Sequence, residues 1–87
     1  MSDIKHILIV EDESILALST SRIIKKNGFE AKIVHSGEKA VAAVSENLNI
    51  DLVLMDIDLG RGIDGTEAAR QILMIKELPI IFLTSHS

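Results

Sequence analysis

Short apolar runs alternate with helical patterns along the chain, and this alternation is its main structural signal. Four segments are predicted to be strands: 7–10, 30–35, 52–55 and 79–83. Between them, apolar residues recur at the spacing of amphipathic helices, in segments that begin at Ser14, after Ser36 and after Asp64. Three of the runs are almost wholly apolar, as expected for parallel strands that are buried on both faces. The alternation predicts an α/β fold with an open, doubly wound parallel sheet.

Local sequence signals predict where the helices and the fourth strand begin. Ser36 is a plausible N-cap for the second helix, and Asp64 with Glu67 three residues later resembles a capping box for the third. Pro79 suits the start of a strand, where its missing N–H does least harm. The third helix is expected to bury five apolar residues: Ala68, Ala69, Ile72, Leu73 and Ile75.

Composition narrows the classes of function. The chain has 87 residues, enough for one domain, with 47% hydrophobic but only 2% aromatic residues, so its core must be aliphatic. The net charge of -4 argues against nucleic acid or an anionic membrane as the main partner. There is no cysteine, and neither a signal peptide nor a transmembrane segment is visible. We expect a cytoplasmic location.

Polar residues follow three of the apolar runs. Glu11 and Asp12 follow the first run, Asp56 follows the third, and Thr84 with Ser85 follows the fourth. In doubly wound sheets, functional groups gather at the carboxyl ends of the strands, so these side chains are expected to meet. Carboxylates held close together repel one another unless a proton or a cation neutralises them. An all-oxygen cluster favours a hard cation such as magnesium.

Three segments together resemble the receiver domain of two-component response regulators. Residues 7–13 (ILIVEDE) resemble the first strand of the family and its acidic pair. Residues 51–59 (DLVLMDIDL) resemble the phospho-acceptor strand, and residues 78–85 (LPIIFLTS) resemble the fourth strand with its switch hydroxyl. The resemblance implies a flavodoxin-like sheet with strand order 2-1-3-4.

The same resemblance implies a role for each matching residue. Asp56 would accept a phosphoryl group from a sensor histidine kinase or a phosphotransfer protein. The magnesium ligands would be the side chains of Glu11, Asp12 and Asp56 and the backbone carbonyl of Asp58. The Thr84 hydroxyl and the Ser85 amide would contact the phosphoryl group. Such a domain is no enzyme in the usual sense, because it catalyses only its own phosphorylation and dephosphorylation.

The resemblance also implies that residues 1–87 are an incomplete receiver domain. A fifth strand carrying a lysine, and two further helices, would be expected after Ser87, with an output domain in the full-length parent. If the chain ended at Ser87, the fourth strand would have an unpaired edge. A homo-oligomer of such a fragment is then expected.

Two other classes of protein fit part of the pattern. The segment Asp56-Ile57-Asp58 after an apolar strand also resembles the nucleophile motif of haloacid-dehalogenase-like, magnesium-dependent phosphatases. That family places its nucleophile on the first strand, however, and leaves Glu11 and Asp12 without a role. The other alternative is a pseudo-receiver that serves only as a docking module and is not phosphorylated.

Overall fold

The structure, a computed structural model, describes residues 4–47 and 49–83. Its elements are β1 (His6–Val10), α1 (Ser14–Lys26), β2 (Glu30–Val34), α2 (Gly37–Glu46), β3 (Leu52–Asp56), α3 (Gly65–Ile75) and β4 (Ile80–Leu83). The four strands form one sheet in the order β2-β1-β3-β4, and all three pairings are parallel. The predicted fold class and strand order are therefore confirmed.

The sheet divides the core into two parts, and the inner strand β1 contributes to both. Leu8 and Val10 point to one face of the sheet and belong to the larger apolar cluster, which includes residues of α2 and α3. Ile7 and Ile9 point to the opposite face and pack with Ile24 of α1. Because successive side chains of a strand alternate between faces, a continuous apolar run fills both clusters.

The helices are amphipathic, and each buries a narrow stripe. On α3 the buried residues include Ala68, Ala69 and Ile72, whereas Leu73 and Ile75 are 49% and 40% exposed. The expectation that α3 buries all five apolar residues was thus wrong for these two. The helix touches the core along one face with helical spacing, and positions 73 and 75 turn away from that face. No helix in the described ranges combines the length and the apolarity that crossing a membrane requires.

The helix starts follow the predicted capping signals, with one exception. The Ser36 hydroxyl accepts from the backbone N–H of Lys39 at 3.1 Å, and the Asp64 carboxylate accepts from that of Glu67 at 2.8 Å. The reciprocal half of the capping box is replaced, because the Glu67 carboxylate accepts hydrogen bonds from Arg70 and Gln71. These donors lie three and four residues further along α3, on the same face as Glu67.

Candidate functional site

Three carboxylates meet at the carboxyl edge of the sheet. Val10 of β1 is the register partner of Met55 of β3, so the residues that follow these two are brought side by side. One carboxylate oxygen each from Glu11, Asp12 and Asp56 lies within 4.8 Å of the others. The structure therefore brings together the three acidic side chains that the sequence predicted as a group. We call them the acidic pocket.

Asp56 is the most enclosed member of the pocket. It ends β3 and is only 2% exposed. Its Oδ1 accepts a hydrogen bond from the backbone N–H of Asp58 at 3.1 Å. Its Oδ2 is buried and has no hydrogen-bond partner among the residues that the structure describes. A buried carboxylate oxygen without a partner is unfavourable, so it is suited to bind a proton, a cation or a new substituent.

Glu11 shows the electrostatic cost of this arrangement. The residue is 8% exposed, and its Oε2 accepts from the backbone N–H of Glu13 at 3.2 Å. Burial raises the pKa of Glu11 to about 7, and Asp56 and Asp12 add to the rise while the Glu13 N–H opposes it. The acidic pocket thus holds more negative charge than is stable without a proton or a cation.

The chemistry of the pocket fits magnesium. All the side-chain donors are carboxylate oxygens, which are the ligands of a hard divalent cation. Asp12 is exposed, so the pocket opens to solvent on its side. The unpartnered Oδ2 of Asp56 gives such an ion an acceptor that no described residue occupies. Asp58, predicted to contribute its carbonyl, lies beside the pocket through its N–H bond to Asp56.

A glycine allows α3 to start directly behind Asp56. A Cβ atom on Gly65 would lie 2.5 Å from the carbonyl oxygen of Asp56 and 3.0 Å from Cα of Ile57. Only glycine fits that approach, and the N–H of Gly65 donates to the carbonyl of Ile57 at 3.2 Å. The start of α3 is therefore closely packed against the end of β3.

Two contacts at the pocket were not foreseen from the sequence. The Nδ1 atom of His35 lies 2.9 Å from the carbonyl oxygen of Glu11, and the Glu38 carboxylate accepts from the N–H of Ile63 at 2.9 Å. His35 is exposed, and the hydrogen bond of its ring is to the backbone of Glu11. Each contact joins residues that are 24 or 25 positions apart, and no local motif marks such pairs.

The predicted phosphate-binding residues Thr84 and Ser85 lie outside the described residues. The strand that leads to them ends beside Asp56, since Leu83 is the register partner of Asp56. The N–H of Ile57 also donates to the carbonyl of Leu83 at 3.2 Å.

Comparison with known proteins identifies the class. Residues 7–87 match the response regulator receiver domain family. The chain belongs to this family, and it is therefore a receiver domain of the kind found in the response regulators of two-component systems. This result confirms the resemblance that the sequence motifs indicated.

Individual relatives support the same assignment. The sensory transduction protein RegX3 of Mycolicibacterium smegmatis is 38% identical over 80 residues, which cover 92% of this chain and 34% of RegX3. The N-terminal domain of a response regulator/sensory box/GGDEF protein from Carboxydothermus hydrogenoformans is 47% identical, with a TM-score of 0.91. That match covers 95% of this chain and 66% of the solved one.

A more distant structure shows the same architecture. The CheY-like receiver domain from Methylobacillus flagellatus has a TM-score of 0.88 at 25% identity, over 97% of this chain and 72% of that chain. The chain spans about a third of the length of the curated relatives it matches.

Proposed function

We propose that the chain accepts a phosphoryl group on Asp56, with magnesium bound in the acidic pocket, and signals through the resulting change of conformation. The observation that carries this proposal is the buried, unpartnered Oδ2 of Asp56 beside the carboxylates of Glu11 and Asp12. Membership of the receiver family supports the assignment of these residues to phosphoryl transfer rather than to structure alone.

The residues divide the chemistry among them. The N–H of Asp58 orients the Asp56 carboxylate, so that one of its oxygens can form the bond to phosphorus while the other is left for the cation. The attacking oxygen displaces the donor imidazole of a phosphohistidine: an O–P bond forms, the P–N bond breaks, and the nitrogen keeps the electron pair. Glu11, Asp12 and Asp56, with the Asp58 carbonyl, would hold magnesium, which offsets charge on the phosphoryl oxygens. Thr84 and Ser85 are proposed to contact the transferred group.

Phosphoryl transfer to Asp56 would require interaction partners in the same cellular compartment. The phosphoryl donor would be a sensor histidine kinase or a phosphotransfer protein. An output domain would respond to the phosphorylated form. We propose a cytoplasmic location, where such a phosphoryl donor would act. In this role the chain catalyses only its own phosphorylation and dephosphorylation. Family membership disfavours the phosphatase alternative. The complete acidic pocket disfavours a docking module that is never phosphorylated.

Phosphorylation of the full-length protein by acetyl phosphate tests the proposal. With magnesium, we expect one base-labile acyl phosphate, detected by intact mass and mapped to Asp56 by peptide analysis. Asp56→Asn should abolish it, because an amide cannot form the acyl phosphate. Asp51→Asn is the matched control, since Asp51 lies at the opposite edge of the sheet and should keep full labelling. Unchanged labelling of Asp56→Asn would overturn the assignment.

A further inference from the structure

The loop between β3 and α3 is held by a residue from another element. We call residues 60–64 the glycine loop. Glu38, in the first turn of α2, accepts a hydrogen bond through its Oε2 from the backbone N–H of Ile63 at 2.9 Å. Glu38 is exposed, so burial does not place its carboxylate here, although the side chain of Ile63 packs against the larger apolar cluster. A carboxylate that accepts from a backbone N–H forms one of the stronger kinds of hydrogen bond.

Two glycines shape the loop and the helix around this contact. Gly62 has φ of +77°, and a Cβ atom there would lie 2.5 and 2.6 Å from the two carboxylate oxygens of Glu38. On the other side, a Cβ atom on Gly37 would lie 2.7 Å from Cγ1 of Ile63. The backbone of the loop and the start of α2 therefore approach as closely as the chain permits.

The far end of the glycine loop reaches the acidic pocket. The N–H of Gly60 donates to Oδ1 of Asp58 at 3.3 Å, and a Cβ atom on Gly60 would lie 3.2 Å from Oδ2 of Asp12. Asp58 in turn donates its N–H to Asp56. One short segment thus connects Glu38 at one end with Asp12, Asp56 and Asp58 at the other.

We propose that Glu38 is a positioning residue for the acidic pocket: by fixing Ile63, it holds the glycine loop in the place that lets Asp12, Asp56 and Asp58 bind a divalent cation together. This inference rests on the proposed magnesium site. Glu38 acts through the loop and touches none of the three ligands. Without an acceptor at position 38, the Ile63 N–H loses its partner, and the loop loses one of the contacts that hold it beside the pocket.

Two substitutions separate the hydrogen bond from the charge. Glu38→Gln removes the charge but keeps a side-chain oxygen that can accept from Ile63, whereas Glu38→Ala removes both. Glu46→Gln is the matched control, because Glu46 lies on the same helix at its far end and carries the same charge. If Glu38 acts by position, Glu38→Gln and Glu46→Gln should resemble the wild type, and only Glu38→Ala should differ.

The experiment measures the magnesium Kd of each full-length variant by calorimetry, together with hydrogen–deuterium exchange of metal-free protein. Glu38→Ala should weaken magnesium binding by about tenfold, the low end of what loss of an outer-shell partner costs. It should also speed exchange in the peptide that contains Ile63. Exchange in peptides from β1 and β3 should stay slow in every variant, which shows that the fold is intact.

Three results would overturn the inference. An unchanged Kd in Glu38→Ala would show that the loop needs no such support and would leave the proposed magnesium site intact. A loss in Glu38→Gln as large as in Glu38→Ala would assign the effect to charge. If the wild type itself binds no magnesium, the proposed site fails and the role of Glu38 fails with it. Faster exchange at Ile63 in Glu38→Ala, with weaker binding rescued by Gln, would support the inference.

Discussion

The two edges of the sheet use acidic residues in opposite ways. At the amino edge, the Asp51 carboxylate accepts from the backbone N–H of His6 at 2.8 Å. That bond lowers the pKa of Asp51, and Lys5 and Lys76 lower it further. At the carboxyl edge, burial raises the pKa of Glu11 to about 7, and neighbouring carboxylates add to the rise. Among the described residues, the neighbours of Asp51 stabilise its charged form, whereas the surroundings of Glu11 destabilise its charged form.

The difference separates a residue that stabilises the fold from residues kept for binding. Asp51 connects β3 to the start of β1, and nearby Lys76 donates to the carbonyl of Ile50 at 2.8 Å. Asp56 has no comparable partner for Oδ2 among the described residues, although it is 2% exposed. Clustered like charges that destabilise the metal-free fold are typical of a functional site.

The largest expected effect is the stabilisation of the fold by magnesium. It should depend on the acidic pocket at the carboxyl edge and not on Asp51 at the amino edge. A ligand that binds only the native state stabilises it, by about 2.7 kcal/mol when its concentration is about 100 times Kd. We expect that gain for the wild type in urea unfolding with added magnesium. Asp12→Ala should lose most of it, and Asp51→Asn should keep it. Equal stabilisation of the wild type and Asp12→Ala would place the bound ion elsewhere.

How much of this arrangement can be read from the sequence depends on how local each signal is. The strands, the caps at Ser36 and Asp64 and the meeting of the acidic residues follow from short motifs and from the geometry of parallel sheets. The contacts of His35 with Glu11 and of Glu38 with Ile63 do not, because they depend on how segments 24 and 25 residues apart in the chain pack together. The prediction that Leu73 and Ile75 are buried was wrong for a related reason. Helical spacing alone does not fix the width of the buried stripe.

The stability of the metal-free protein should depend on pH in two ways, through Glu11 at the carboxyl edge and through Asp51 at the amino edge. The pKa of Glu11 is raised from 4.5 to about 7 on folding, so its contribution to stability is fully present below pH 4.5 and is lost as pH rises through 7. We therefore expect the Tm to increase when the pH is lowered from 8 to about 5. In Glu11→Gln this increase should disappear. Thermal unfolding without magnesium, followed by circular dichroism, measures it.

The amino edge predicts the opposite sign at lower pH. The pKa of Asp51 lies below its ordinary 3.8, so its contribution is present above that value and is lost as the pH falls through the lowered pKa. Asp64 and Glu67, which lie at the start of α3 and not at the amino edge, also have lowered pKa values and add to the same loss. Stability should pass through a maximum near pH 5, about where the two trends cross. A Tm that falls steadily from pH 8 downward would show that folding does not raise the pKa of Glu11.

Asp51→Asn should give the smallest effect, and it tests an acidic residue that has no binding role. An amide oxygen can still accept from the N–H of His6, but it carries no charge to interact with Lys5 and Lys76. Since exposed ion pairs contribute little, the Tm at pH 7 should fall by only a few degrees. Magnesium affinity should not change, because Asp51 lies at the edge of the sheet opposite the acidic pocket. A lower magnesium affinity in this variant would show that the two edges are coupled through β3, and their separation into a stabilising edge and a binding edge would then be wrong.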